Sequence, residues 1–368
     1  MNMKQISLIG TGLIGSSLAL GIQKAHPDLV LVGYDQNQHH LQLALDKGIV
    51  HQAAPSLEEA VCQADVIILA LPIQPSLALL EVLAQLSLKP QVLITDVGST
   101  KEQLVGKAEQ VFRDKPIRFI GGHPMAGSHK AGPLAADRHL FENAYYILTP
   151  TAQTAPSDIE DLEALLSGLG ARFIQMPAKE HDLVTSQVSH FPHILASSLM
   201  QQTAAYAKDH DMTQHFAAGG FRDMTRIAES EPGMWTSILL TNQAALLERI
   251  ADFQERLEAI SQVLQDQDQA AIYDFFAQGR TQRKQMEIHK RAGVDSFYDI
   301  YLSVPDEQNA ILHVLEHLQG ISVVNLHINE DNREDSYGVL QITFKTKQDQ
   351  LEAVKRLEQY THYTVTIA

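Results

Sequence analysis

Six residues near the N-terminus have the types and spacing to hold a phosphate: Gly10-Thr11-Gly12-Leu13-Ile14-Gly15 forms a Gly-x-Gly-x-x-Gly turn. Before it, Gln5-Ile6-Ser7-Leu8-Ile9 reads as a buried strand, and after it Ser16 to Lys24 carries a helical pattern. In that setting Gly10 permits the tight turn and Gly12 lets the backbone approach a pyrophosphate. Gly15 lets helix and strand pack closely, with the phosphates over the helix N-terminus and Leu13 and Ile14 completing the turn. A second strand, Leu29 to Tyr34, ends in Asp35 about 20 positions after Gly15, the place of a carboxylate that accepts from an adenosine ribose. That acid would repel a 2′-phosphate, and Gln36 and Asn37 supply no cation, so the pattern predicts NAD over NADP.

Five further clusters look chemical. Asp96 to Lys101 and Gly121 to Ser128 both follow apolar runs that read as strands. Ser189-His190-Phe191-Pro192-His193 places two imidazoles three residues apart. Gly219 to Arg226 is a glycine-led polar run with two arginines, and Ser230 to Trp235 holds the only Trp. His190 and His193 lack Cys or carboxylate partners at metal-ligand spacing, so no metal is predicted. Of the 17 His, His313 and His317 are expected to face solvent and His39 and His40 to lie in a loop. His123 and His193 are then the informative ones.

Several elements must position these groups. Val66 to Leu71, Gln91 to Thr95 and Arg118 to Gly121 read as strands, alternating with helical stretches such as Ser76 to Leu88 and Thr100 to Phe112. That alternation predicts a doubly wound α/β sheet, a Rossmann domain over 1–160, whose ligands sit at the C-terminal strand ends. Residues 161–293 are expected to form an all-helical substrate and dimerisation domain, with one strand candidate, Ala171 to Met176, and one or two long helices over Trp235 to Arg291. Such helices bury their apolar faces naturally between two copies, so a homodimer is expected. Residues 297–368 read as βαββαβ, a ferredoxin-like unit.

Composition narrows the class. The 368 residues allow two or three domains. A net charge of −16 disfavours nucleic acid and anionic membrane surfaces, and no apolar run is long enough to span a bilayer. A single Cys, Cys62, excludes an intrachain disulfide framework and suits the cytoplasm.

GGHPMAG at Gly121 to Gly127, VSHFPH at Val188 to His193 and FRDMTRIAESEPGMW at Phe221 to Trp235 occur in that order after the glycine turn and the Asp96 to Lys101 segment. Over essentially its full length the chain resembles the prephenate dehydrogenase family. The resemblance implies an NAD-dependent oxidative decarboxylation of prephenate to 4-hydroxyphenylpyruvate in tyrosine biosynthesis, with no metal. It implies that His123 is the base that takes the proton of the ring hydroxyl as hydride leaves the same carbon. Ser99 would hydrogen-bond that hydroxyl. Arg226 would clamp a substrate carboxylate, the alternative being a guanidinium that braces helices. His193 would contact the pyruvyl or carboxylate end, with Ser189 and Ser128 as further hydrogen-bonding groups. His129 stands where some members carry an acid and Arg222 where some carry Lys, which bears on pocket access and on the pyruvyl end.

Leu318 to Leu326 is similar to the helix-to-strand core of ACT domains, which implies tyrosine as a feedback effector sensed at Pro305 to Gln308 and Gly320 to Asn325. The alternative is a domain that adds only an oligomer contact. Two rival functions remain at this point. One is an arogenate dehydrogenase; the other is a non-catalytic amino-acid sensor on a dinucleotide fold, opposed by the intact set Ser99, His123, His193 and Arg226.

Overall fold

Alternating apolar strands and amphipathic helices build an eight-stranded sheet in the first part of the chain. The computed structural model describes residues 3–127, 130–292, 298–305, 309–329, 337–344 and 346–367. In chain order the elements are β1 (Gln5–Ile9), α1 (Leu13–Ala25), β2 (Val30–Tyr34), α2 (Gln38–Asp46), β3 (Gln52–Ala53), α3 (Leu57–Val61) and β4 (Val66–Leu69). There follow α4 (Ile73–Leu83), β5 (Val92–Asp96), α5 (Glu102–Phe112), β6 (Ile117–Pro124), β7 (Tyr145–Pro150), α6 (Pro156–Leu165) and β8 (Arg172–Gln175).

The strand order is β3-β2-β1-β4-β5-β6-β7-β8, parallel except where β7 runs against β6. Successive side chains of a strand point to opposite faces. Val66 and Ile68 of β4 therefore enter one apolar cluster, with Leu18 and Ile22 of α1, while Ile67 and Leu69 enter a second, with Leu80 of α4 and Leu104 of α5. This is the Rossmann-like α/β domain expected, with two differences. The strand predicted to end at Gly121 continues to Pro124 because β7 supplies it with a partner, His123 lying opposite Ile147. The strand candidate at 171–176 is β8, hydrogen-bonded to β7, so the sheet extends past residue 160 and the stretch after it is not all helical.

The helical region comprises α7 (Ala178–Thr185), α8 (Phe191–Tyr206), α9 (Gly219–Thr225), α10 (Pro232–Thr241), α11 (Gln243–Gln265) and α12 (Gln269–Ala292). A π-turn, Ser186–His190, joins α7 to α8 just before Pro192, which brings no N–H of its own to the helix. In place of one or two helices over Trp235 to Arg291 there are three, interrupted at Asn242 and at residues 266–268. His39 and His40 lie on α2 rather than in a loop.

The last elements are β9 (Tyr298–Pro305), α13 (Ala310–Glu316), β10 (Val323–Asn329), β11 (Tyr337–Phe344), α14 (Lys347–Tyr360) and β12 (Thr364–Ile367). They form an antiparallel sheet of order β10-β11-β9-β12. Ile300, Leu302 and Val304, alternating along β9, meet Val314 and Leu318 and the Ala353 and Leu357 face of α14 in a separate core. His317, expected to face solvent, is half-buried and stacks on Tyr360 with ring centroids 5.5 Å apart. By its contacts the chain divides into two compact units, Met1–Glu255 and Arg256–Ala368.

Candidate active site

The glycine turn sits between β1 and α1. Gly10 has φ +98°, and a Cβ there would lie 2.4 Å from the Ala70 carbonyl oxygen, so the turn itself demands glycine. Gly12 is different. Its φ is −69°, and among the described residues a Cβ there would meet nothing within 4 Å, so a ligand's approach to this backbone is unobstructed. It is also the N-cap of α1 and carries no capping side chain, which leaves the first N–H groups of that helix for an anion. Leu13 and Gly15 are buried and Ile14 packs on the sheet core, so these residues can offer a ligand backbone only. Asp35 follows β2, and Thr11 holds it beside the turn: Oδ2 accepts from the Thr11 amide at 2.7 Å and from its hydroxyl at 2.9 Å, and Oδ1 from the Asn37 amide at 2.8 Å.

A second set of groups lies past the C-terminal ends of β5 and β6. Asp96 and Lys101 are fully buried and ion-paired. Asp96 also accepts from the Gly98 amide at 2.7 Å and the Gly122 amide at 3.1 Å, and Lys101 Nζ donates to the Gly122 carbonyl at 2.7 Å. The pair thus fastens the loop that carries half-buried Ser99 to the strand that carries His123. Burial pulls the Lys101 pKa down while the Asp96 carboxylate pulls it back up.

His123 is 9 % exposed. Its Nδ1 lies 2.8 Å from Nε2 of His181, whose own Nδ1 lies 2.7 Å from Asp182 Oδ1. Asp182 in turn accepts from the amides of Lys101 at 2.7 Å and Glu102 at 2.9 Å, which open α5. Burial holds both imidazoles below their usual pKa, His123 well below, with the neighbouring His181 and Lys101 pushing His123 further the same way.

Asn242, at the break between α10 and α11, ties this network to the helices. Its amide donates to the Asp182 carbonyl at 2.8 Å and lies 3.1 Å from Nδ1 of buried His190. Burial pushes His190 down to about 4, with Asp182 and the Ser99 backbone among the groups that oppose it. The His190 ring meets Trp235 edge-on, and His193 stacks on the same indole with centroids 3.7 Å apart. His193 Nδ1 lies 2.8 Å from the Ser189 carbonyl, to which it donates, so Ser189 acts here through its backbone and His193 Nε2 has no hydrogen-bond partner among the described residues. Burial lowers the His193 pKa, the Ser189 bond opposes it and exposed Arg226 lowers it further; Arg226 makes no ion pair among the described residues. Arg222 donates to the Ala217 carbonyl at 3.1 Å. His190 and His193 point to different partners and do not converge as ligands. Ser128 and His129 lie outside the described residues.

Ser99, His123, His193, Ser189 and Arg226 are therefore linked through His190 and Trp235, while the glycine turn and Asp35 form a second group on the same sheet. Sequence reasoning missed His181, Asp182 and Asn242. An adjacent His-Asp pair within a helix was the available signal; their partners, 58 and 81 positions away along the chain, gave none.

Residues 18–175 match the family described as prephenate dehydrogenase, nucleotide-binding domain, and residues 177–278 its dimerization domain. A prephenate dehydrogenase of Lactococcus lactis is 51% identical over 363 residues, covering 99% of this chain and 100% of that one. Among solved structures, prephenate dehydrogenase from A. aeolicus in complex with hydroxyphenyl propionate and NAD+ superposes with a TM-score of 0.71 at 27% identity, covering 78% of this chain and 99% of the other. Synechocystis arogenate dehydrogenase gives 0.67 at 32% identity, covering 77% and 99%.

Proposed function

This chain belongs to the prephenate dehydrogenase family, and from that premise we propose that it converts prephenate to 4-hydroxyphenylpyruvate by oxidative decarboxylation with NAD. The observation that carries the reading is His123: an imidazole kept neutral by burial, fixed on a central strand and fastened to the Ser99 loop, is built as a base.

The residues present fit the cofactor. The open space at Gly12, the uncapped N-terminus of α1 and the Asp35 carboxylate would hold the pyrophosphate and the ribose. Bound NAD supplies the acceptor for the hydride that leaves the hydroxyl-bearing ring carbon, while the ring carboxylate departs as carbon dioxide and the ring becomes aromatic. Ser99 orients the ring hydroxyl. His123 takes its proton. Arg226, unpaired among the described residues, and His193, with Nε2 open beside the Trp235 face, hold the carboxylate and pyruvyl groups. Ser189 contributes to this end of the site through the carbonyl that fixes the His193 ring, while the predicted contact from residue 128 lies outside the described residues.

The C-terminal sheet, with its order β10-β11-β9-β12, supports a ferredoxin-like, ACT-type domain with tyrosine as effector, sensed near Gly320 to Asn325. Of the other predicted contact, residues 306–308 lie outside the described residues. The dimerization-domain match, and exposed Leu247, Leu257, Leu264, Tyr273 and Phe276 on α11 and α12, support a homodimer. The single Cys62 suits the cytoplasm, and among the described residues no helix is long and apolar enough to cross a membrane.

The likeness to an arogenate dehydrogenase keeps arogenate as the competing substrate. Offering NAD or NADP with prephenate or arogenate, and following the reduced cofactor, decides both choices: NAD with prephenate is expected to give the highest kcat/KM, and silence in all four combinations would overturn the reading. His123→Asn is expected to cut kcat about 100-fold or more with NAD affinity kept, since a general base contributes roughly that much. Arg226→Ala is expected chiefly to raise KM for prephenate.

A further inference from the structure

The atoms around His123 determine more than that it is a base, because an imidazole has two nitrogens and only one can take the substrate proton. The chain of contacts runs from Asp182 through His181 to His123. A carboxylate accepts hydrogen bonds and has none to give. Asp182 is fixed in that role by the amides of Lys101 and Glu102, which aim the N-terminus of α5 at its two oxygens. His181 Nδ1, 2.7 Å from Asp182 Oδ1, must then carry the hydrogen of that contact. The neutral His181 ring is left with a lone pair at Nε2, and the group facing that lone pair at 2.8 Å, His123 Nδ1, must be the donor. His123 is thereby left with its lone pair on Nε2.

We propose that Asp182 and His181 are positioning residues that lock His123 as its Nδ1–H tautomer and so present Nε2 as the base. The inference rests on His123 being the base of the proposed reaction and deepens that reading. In the proton step the bond between the substrate oxygen and its hydrogen breaks, a bond from that hydrogen to His123 Nε2 forms, and the ring becomes an imidazolium. Its Nδ1–H already donates to His181, and the Asp182 carboxylate stands behind His181, so the charge that develops meets a relay whose dipoles are already aligned. Without Asp182 as acceptor, His181 is free to turn its hydrogen to Nε2, which would make His123 accept at Nδ1 and carry its hydrogen on the nitrogen the reaction needs bare. Asn242, donating to the Asp182 carbonyl, anchors the relay to the α10–α11 break.

The test has a spectroscopic and a kinetic arm on the full-length protein. Long-range 1H–15N spectra of histidine-labelled protein, with the His123 signals identified by their loss in His123→Asn, are expected to show His123 protonated at Nδ1. Asp182→Asn, whose amide can donate to His181, is expected to move that hydrogen to Nε2 and to lower kcat about 100-fold or more, as tautomer errors do in triad enzymes, with KM for prephenate within about threefold. His181→Gln, whose amide oxygen can accept from Nδ1–H, is expected to retain at least tenfold more turnover than His181→Leu of similar size. A wild-type His123 with its hydrogen on Nε2, an Asp182→Asn enzyme with unchanged kcat, or equal losses in the two His181 variants would each overturn the proposal. If the base assignment itself is wrong, His123→Asn will turn over normally, a result separate from the tautomer the spectra report.

Discussion

His123, His181 and His190 are brought within one buried network, and burial lowers the proton affinity of each. In the unfolded chain these rings titrate near 6.5. Between that value and the lower folded one the unfolded state binds more protons, so stability is lost as pH falls below about 6.5, the loss completing as pH passes the folded pKa. For His190, pushed down to about 4, the loss complete near that pH is about 3 kcal/mol, at about 1.4 kcal/mol per unit. Thermal melts at pH 7.5 and 5 should therefore differ in the wild type and differ less in His190→Gln; an equal difference in the two would count against the assignment. Catalysis should follow the same sign. A base already neutral at pH 6.5 keeps the acid limb of kcat/KM below that pH, and a limb at or above 6.5 would show that His123 is not held as described.

The elements that carry the site differ in how legible they were. The glycine turn and Asp35 could be read directly because their partners are local: the turn, the helix start and the next strand all lie within the first 35 residues. The chemistry of His123 could be read only through the resemblance, since what makes it a base comes from His181 on α7 and from the Asp96–Lys101 pair. Strand β7, YYILTP, was not read from the sequence, and it is β7 that extends β6 to His123. The π-turn and the Asn242 break hide for another reason: nothing in helical periodicity marks where a side chain will be needed between two helices. The buried Lys101–Asp96 pair gives the test at this scale. Removing one partner of a buried pair leaves the other charge uncompensated, so Lys101→Met is expected to cost roughly 3–5 kcal/mol in urea denaturation. Adding Asp96→Asn to Lys101→Met should recover part of that loss, because the new side-chain amide oxygen can still accept one of the two backbone N–H groups without a stranded charge. A double variant less stable than Lys101→Met would show that the carboxylate matters more as an amide acceptor than as a counterion.

For the whole molecule, a net charge of −16 has to be reconciled with a dianionic substrate and a cofactor carrying a pyrophosphate. On the proposed reading the attraction is local, from the uncapped N-terminus of α1 on one side and Arg226 with the His193 ring on the other, so salt should weaken binding without abolishing it. The acidic surface is left to solubility and to repelling polyanions. The C-terminal sheet stands apart in this division of labour. Its core draws on β9, β11, α13 and α14 and shares no residue with the two clusters that flank the first sheet. Ending the chain at Gly293 therefore removes a complete core rather than part of one, and because the proposed site residues all precede that point the reaction should continue. What should disappear is response to tyrosine. With NAD and prephenate supplied and reduced cofactor followed at rising tyrosine, the full chain is expected to be inhibited and the shortened one to be indifferent at similar kcat. If the shortened chain is inhibited equally, the effector acts within the first 293 residues and the C-terminal sheet serves another contact.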